Sequence, residues 1–230
     1  MTAVLVSAVL AASTLAGCSA TVTGAGRAQG APTVAATGVP LGEQGADGTA
    51  AFAQMVADMQ SLEHGFSFSF GDEASSGLSV VSRYQGTNGT SRVTYGGVRG
   101  DLVAVDGDAW AKAPASFWEQ IPAVDATVRA QISDRWVTVT GPIDAFVPYV
   151  SQAALFDGIG KAGPAVLGPV STRDGVAVHP VRLGEQSEVL VTLASPHLLV
   201  QWGDVQDSSF TFPTGDLEVT APSDPVAFPS

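Results

Sequence analysis

The sequence predicts an α+β fold in which one strongly curved antiparallel sheet of about ten or eleven strands, a half-barrel, carries short helices on its concave face. Short segments of alternating apolar and polar residues follow one another along most of the chain. Dipeptides such as Asn88-Gly89 and Asp106-Gly107 favour tight hairpin turns, so neighbouring strands are expected to be antiparallel. Several amphipathic helical segments need a large apolar surface to cover, which favours the curved sheet over its alternative, a sandwich of two sheets.

Residues 1–17 are predicted to be a secretory signal peptide, because an apolar stretch is followed there by small residues. The stretch is too short to span a bilayer. It departs from the usual pattern in one respect, since no lysine or arginine precedes it.

Cys18 is the only cysteine of the chain and ends the tetrapeptide Leu15-Ala16-Gly17-Cys18. This tetrapeptide resembles the lipobox of bacterial prolipoproteins, in which a lipid is attached to the cysteine thiol and cleavage makes that cysteine the new N-terminus. The resemblance implies an exported protein of the cell envelope, anchored through acyl chains on Cys18 to the outer face of the cytoplasmic membrane. The alternative is a buried, inert thiol.

Residues 18–48 are predicted to form the lipidated cysteine and a flexible tether, because alanine, glycine, threonine and proline dominate and large apolar side chains are scarce. A chain of about 28 residues of this composition reaches roughly 30 Å. The folded domain is expected over residues 49–222, followed by a loose, proline-rich tail over residues 223–230.

The charge balance limits the classes of partner. The chain has 22 acidic and 10 basic residues, for a formal net charge of -12, and no cluster of lysine and arginine interrupts the sequence. Nucleic acid is therefore not an expected partner. The same charge repels an anionic lipid surface, so membrane attachment is expected to come from acyl chains and not from a polybasic segment.

The domain is predicted to begin with a helix over residues 50–62, with Thr49 as its N-cap. Apolar residues recur on one face of this helix, at Phe52, Met55, Val56, Met59 and Leu62. The alternation of Phe66, Phe68 and Phe70 with serines then predicts a strand that buries these rings on one side. Further strands are expected at residues 77–85, 91–95, 98–105 and 109–113.

Helical spacing returns in the middle of the chain and predicts helices at residues 115–120, 125–132 and 144–156, with a strand at residues 136–140 between the last two. The remaining segments alternate again and are joined by tight loops. They predict strands at residues 165–172, 176–183, 188–193, 198–202, 208–212 and 217–220.

The sequence lacks patterns that carry catalysis or bind metal. Its three histidines, His64, His179 and His197, share no spacing that would bring two of them to one metal ion, and surface or sheet-edge positions are expected for them. The common nucleophile, zinc and nucleotide-binding motifs are missing too. The protein is therefore expected to perform no chemical step and to have no catalytic residue, cofactor or metal ion.

Four segments occur in an order that matches a known group of proteins. They are residues 105–114, Phe117-Trp118, residues 134–137 and residues 174–178. In this order they resemble the actinobacterial LppX/LprG-type lipoproteins of the LolA-like superfamily of lipid and lipoprotein carriers. The similarity covers roughly residues 49–222, and none of its motifs is a catalytic signature.

The resemblance implies an apolar cavity between sheet and helices that binds, and in relatives moves, an amphipathic lipid or lipoglycan. The candidate lining residues come from the first helix and the first strand: Phe52, Met55, Met59, Phe66, Phe68 and Phe70. The same residues could instead fill a dry core. The domain would then be an interaction or sensor module of the cell envelope, with a protein partner and no lipid cargo.

The anchor is tested by replacing its thiol. In cells grown with radiolabelled palmitate, we expect the native protein to incorporate label and the Cys18→Ala variant to incorporate none, because the acyl group has lost its attachment point. Ser19→Ala is the matched control, since it changes the next side chain and keeps the thiol. Label retained by Cys18→Ala would contradict the anchor.

Overall fold

The computed structural model of the protein describes residues 41–72, 77–185, 187–203 and 208–229. Within these ranges the fold is a mixed α+β arrangement, with a large antiparallel sheet and a few short helices. The predicted signal peptide and Cys18 lie outside the described residues. The lipidation site therefore stays a prediction.

The helices and strands follow the predicted order over most of the chain. The helices are α1 (Thr49–Gln60), α2 (Ala115–Trp118), α3 (Ala126–Ile132), α4 (Gln152–Gly160) and one 3-10 helix (Gly141–Tyr149). The strands of the first half are β1 (Phe66–Asp72), β2 (Leu78–Gln85), β3 (Asn88–Tyr95), β4 (Val98–Val105), β5 (Asp108–Lys112) and β6 (Val137–Thr138). Those of the second half are β7 (Ala165–Leu167), β8 (Ser171–Arg173), β9 (Val176–Leu183), β10 (Ser187–Thr192), β11 (Leu199–Trp202) and β12 (Ser209–Thr211).

The described strands form two antiparallel sheets and not the single sheet predicted. One has seven strands in the order β12-β1-β2-β3-β4-β5-β6; the other has five, in the order β11-β10-β9-β7 with β8 also paired to β9. The sheets adjoin where β11 leads into β12. There the Ser208 hydroxyl accepts from the Trp202 N–H (3.3 Å) and donates to the Trp202 carbonyl (2.8 Å). A side chain thus engages the backbone groups that a continuous ladder would use.

The seven-stranded sheet has one buried face and one outer face, because successive side chains of a strand point to opposite sides. In β2, for example, Val80 is buried while Val81 is 56% exposed. The buried face and the helices enclose two hydrophobic clusters. The first joins α1, β1 and α4 to the five-stranded sheet, and the second joins β2 to β6 with α2, α3 and the 3-10 helix. Phe70 packs against both clusters.

The single helix predicted at residues 144–156 is wrong, because the segment divides into two helices at Val150 and Ser151. Pro148 lies inside the first of them and has no N–H to donate to the Asp144 carbonyl, as an α-helix beginning at residue 144 would require. The chain forms the 3-10 helix first, and α4 then begins afresh with the Ser151 hydroxyl accepting from the Ala154 N–H (3.3 Å). Between them the Val150 carbonyl lies so close to Gly89 that a Cβ on residue 89 would overlap its oxygen. Only glycine lets this segment rest on β3.

The hairpin turns are predicted with mixed success. Asp106 and Gly107 adopt φ values of 54° and 92°, as the predicted turn requires. The turn predicted at Asn88-Gly89 is wrong, since these residues begin β3 and the chain reverses at Gly86 instead. The Asn88 side chain accepts from the Asp106 N–H (2.9 Å) and so ties two neighbouring turns together.

The folded domain begins before residue 49. The Gly45 N–H donates to the Leu167 carbonyl (2.8 Å), and the Leu167 N–H donates to the Ala46 carbonyl (3.0 Å). The Gly48 N–H donates to the Ala165 carbonyl (2.9 Å). Residues 45–48 therefore lie along β7, and the end of the predicted tether belongs to the fold.

The C-terminal residues are neither a loose tail nor a strand at residues 217–220. We call residues 213–229 the C-terminal strap. Near its start the Leu217 N–H donates to the Gln85 side chain (2.5 Å), and near its end Val226 joins β6. The Thr138 N–H donates to the Val226 carbonyl (3.0 Å), and the Val226 N–H donates to the Trp136 carbonyl (2.8 Å). The strap contains four prolines, which lack the N–H of a regular ladder.

The strand predicted at residues 165–172 is divided into β7 and β8, which both pair with β9. At the break the Gly168 N–H donates to the Pro180 carbonyl (2.7 Å). Antiparallel partners of this kind exchange two such bonds, but Pro180 has no N–H to return. His179 Nε2 supplies the missing donor to the Gly168 carbonyl (2.8 Å). His179 is 1% exposed, so the surface or edge position predicted for it is wrong.

Because His179 supplies the donor that Pro180 lacks, mutations of these two residues are expected to have non-additive effects on the free energy of unfolding. His179→Phe leaves the buried Gly168 carbonyl without a donor and should lower the free energy of unfolding by about 1–3 kcal/mol. Adding Pro180→Ala returns an amide N–H, so the double variant should lose about 1 kcal/mol less than the two single variants together. Urea unfolding of the four proteins measures the cycle. Strictly additive losses would mean that His179 does not replace the proline amide.

Candidate functional site

The six predicted lining residues come together at the junction of α1 and β1. Helical spacing places Phe52, Met55 and Met59 on one side of α1. Strand alternation places Phe66, Phe68 and Phe70 on the buried face of β1. All six belong to, or pack against, the first hydrophobic cluster.

The start of α1 is held by a short polar network that differs from the predicted cap. Gly48, and not Thr49, occupies the N-cap position, and its carbonyl accepts from the Phe52 N–H (2.8 Å). The Asp47 carboxylate accepts from the Thr49 N–H (2.9 Å) and hydroxyl (2.6 Å). These bonds lower the pKa of the Asp47 carboxyl from its ordinary value. The network fixes the N-terminal end of α1 against β7.

Side chains fill the space between α1 and β1. Met55, Met59 and Phe66 are 0% exposed and Phe68 is 1% exposed, whereas Phe52 and Phe70 are half-buried. Around Phe66 and Phe68 the ring centroids lie 4.8 to 6.0 Å from those of their aromatic partners, Tyr84, Phe156, Trp202 and Phe210. In this conformation the six residues form a packed core, the second of the two arrangements expected for them.

Sequence reasoning missed the aromatic partners that complete this cluster. Phe210 lies in β12, where its alternation with exposed neighbours was the available signal. Phe156 lies on α4, in a segment whose helix was wrongly bounded. Trp202 is half-buried at the end of β11, and its indole N–H donates to the Ser187 hydroxyl (3.1 Å). These residues come from distant parts of the chain, so no local pattern groups them with β1.

A few polar contacts connect α4 and the 3-10 helix, which belong to the layer of helices over the sheet (the helical layer), to the rest of the site. The Gln152 side chain is buried and donates to the Met59 carbonyl (3.1 Å), which links α4 to α1. The Tyr84 hydroxyl donates to the Pro148 carbonyl (2.9 Å), which links β2 to the 3-10 helix. Burial raises the pKa values of Tyr84 and Tyr149, so both phenols stay neutral at physiological pH.

A small pocket lies in the second cluster and not beside the six predicted residues. It is a shallow hollow, partly open to solvent, with no enclosed space for even a water molecule, and its lining includes Leu102, Ala111, Phe117, Trp118 and Phe146. Pockets that hold drug-sized ligands have volumes of roughly 300–1,000 Å³. This pocket is therefore too small for a lipid acyl chain.

The other histidines have ordinary polar partners. His64 Nδ1 lies 2.9 Å from an Asp216 carboxylate oxygen, and bonds from His64 and Gln85 lower the pKa of Asp216 from its ordinary value. The backbone N–H of His197 donates to the Asp58 carboxylate (2.6 Å) and thereby connects the β10–β11 loop to α1. Across the part of the chain that the structure describes, no group of three His, Cys, Asp or Glu side chains could hold a metal ion.

Comparison with models of protein families and with curated proteins produced no match. No described helix is long and apolar enough to cross a membrane.

Packing at α1 is tested by shortening one buried side chain. Met59→Ala should lower the free energy of unfolding by about 2–5 kcal/mol, because the vacated volume is enclosed on all sides. Val56→Ala, on the same helix and half-buried, should cost about 1 kcal/mol. Urea unfolding measures both variants. Equal, small losses would indicate that Met59 faces an open space and not a packed core.

Proposed function

We propose that this protein is an exported lipoprotein, acylated on Cys18, whose domain is of the LppX/LprG type and binds an amphipathic lipid or lipoglycan between sheet and helices. The half-barrel curvature expected for such carriers is part of the proposal. The supporting observation is the continuous apolar cluster in which α1 packs on the aromatic face of β1. Binding and carriage of this kind involve no chemical step.

The helical layer is suited to open. Its segments are short, with 4 residues in α2, 7 in α3, 9 in the 3-10 helix and 9 in α4. Helices below about 12–15 residues are marginal on their own, so their stability comes from apolar contact with the sheet. An acyl chain offers the same kind of contact and can take the place of part of the sheet surface.

Exchange of side chains for lipid is energetically reasonable. Exposing Met55 and Met59 to water forfeits about 3–6 kcal/mol, whereas transferring about fifteen methylenes of an acyl chain from water into their place contributes about 12 kcal/mol. The polar contacts of α1 that must break include those from Gln152 to Met59 and from His197 to Asp58. We therefore expect α1 to move aside when lipid enters.

A second candidate function is favoured by the tightness of the same cluster. Four of the six predicted lining residues are at most 1% exposed, and the small pocket lies elsewhere. A domain with such a core would work as an interaction or sensor module of the cell envelope that recognises a protein partner.

Lipid analysis separates the two functions. We expect the full chain, purified from membranes in mild detergent, to carry a non-covalent lipid that mass spectrometry resolves from the acyl groups on Cys18. The protein should also exchange that lipid for an added fluorescent fatty acid. Purified protein with neither bound nor exchangeable lipid would leave the interaction module as the better proposal.

Movement of α1 can be tested with a reversible cross-link. A Cβ on Gly48 would lie 3.3 Å from the Ala165 Cβ, close to the separation of about 3.5–4.5 Å in disulfides. In Gly48→Cys/Ala165→Cys, the oxidised protein should take up fluorescent fatty acid several-fold more slowly than the reduced protein. The single variants are the controls. Equal uptake in both redox states would exclude entry beside α1.

A further inference from the structure

The outer face of the seven-stranded sheet gathers basic residues that are far apart in sequence. The strand register places Val81 opposite Arg92, Arg92 opposite Asp101, and Asp101 opposite Lys112. Arg99 precedes Asp101 by two residues and therefore shares its face. We call Val81, Arg92, Arg99 and Lys112, grouped around Asp101, the basic patch.

The basic patch has more cations than its carboxylate can neutralise. Arg99 donates to Asp101 through Nε (2.9 Å) and Nη2 (2.6 Å), while Arg92 Nε lies 3.9 Å from the same carboxylate. Lys112 is exposed and has no ion pair within the described residues. Three cations and one carboxylate leave a charge of +2 in the basic patch, in a chain whose formal net charge is -12.

The patch is also open to solvent. The side chains of Arg92 and Arg99 are 57% and 52% exposed, and Val81 beside them is 56% exposed. Three cations spread over neighbouring strands of a sheet match an extended anionic surface better than a single small anion. The exposed valine adds an apolar side chain at the point of contact.

We propose that the basic patch docks on the headgroups of an anionic phospholipid surface and thereby orients the domain on the membrane that carries it. The inference rests on the proposed acyl anchor for proximity and on the tether predicted from composition, whose residues 19–40, about 22 in number, would reach roughly 26 Å. That reach is comparable to the radius of the domain, about 20 Å. A tether of this length keeps the local lipid concentration high, so a weak contact is sufficient.

Salt screening explains how a chain with a formal net charge of -12 can contact an anionic lipid surface. The Debye length is about 8 Å at physiological ionic strength, so only charges close to the bilayer act on it. Each cation near an anionic surface strengthens binding by about fivefold.

The orientation is measured with a fluorophore on the full chain reconstituted in vesicles. The label is placed at Val81→Cys in the patch or at Val170→Cys, a similarly exposed valine before β8. The vesicles are phosphatidylcholine alone or phosphatidylcholine with phosphatidylglycerol, and a headgroup nitroxide is the quencher. We expect quenching at Val81→Cys to rise several-fold with phosphatidylglycerol and to fall in high salt, with little change at Val170→Cys.

Charge reversal supplies a matched pair of variants. Arg92→Glu/Lys112→Glu should abolish the increase in quenching, whereas Arg135→Glu/Arg173→Glu, which changes the net charge equally, should preserve it. Circular dichroism checks that both variants fold. Equal quenching at the two labels, or equal effects of the two double variants, would overturn the proposal. A shift in sedimentation without vesicles, lost only in Arg92→Glu/Lys112→Glu, would overturn it in favour of a second copy of the chain.

Failure of the anchor gives a different result. If the Cys18→Ala protein floats with vesicles as well as the native one does, the acyl anchor is wrong, and the comparison of labels still tests the patch. If neither protein floats with neutral vesicles, flotation with phosphatidylglycerol vesicles reports the patch directly. In that case absence of flotation with either vesicle overturns the docking proposal.

Discussion

Burial of Phe66 and Phe68 is the constraint on which the rest of the structure depends. Their strand, β1, pairs with β12 on one side and β2 on the other. The two rings contact aromatic side chains from β2, α4, β11 and β12, and so join both sheets and the helical layer in one cluster. A strand with polar residues on this face would leave α1 nothing to cover and the two sheets without a shared core.

Side chains take the place of backbone partners at two interruptions of the sheets. Ser208 engages Trp202 at the seam between the sheets, and His179 donates to the Gly168 carbonyl beside Pro180. Buried backbone groups without partners cost free energy, so each interruption requires such a substitute. These two buried polar side chains therefore serve the fold.

Local patterns predicted the elements whose character is set within a few residues. The bounds of α1, β4 and β9 agree with the predicted ones to within about two residues, because periodicity of 3.6 or 2 is a property of neighbouring side chains. The errors arise where a contact between residues far apart in sequence decides the local structure. Asn88 begins β3 because it pairs with Gln85 of β2 and its side chain accepts from the Asp106 N–H in the turn after β4. Val226 forms backbone hydrogen bonds at β6 that the proline-rich composition of its segment does not predict.

The sequence by itself determined that six apolar residues of α1 and β1 face inward, because their spacing matches one helical face and one strand face. Only the tertiary structure decided that they pack against rings such as Phe156 and Phe210, which arrive from segments far along the chain. The same distinction between sequence and tertiary structure applies to the distribution of charge. Composition determined an acidic protein, but strand register brought Arg92 and Lys112 onto one face. Register depends on pairing between segments, which no local pattern contains.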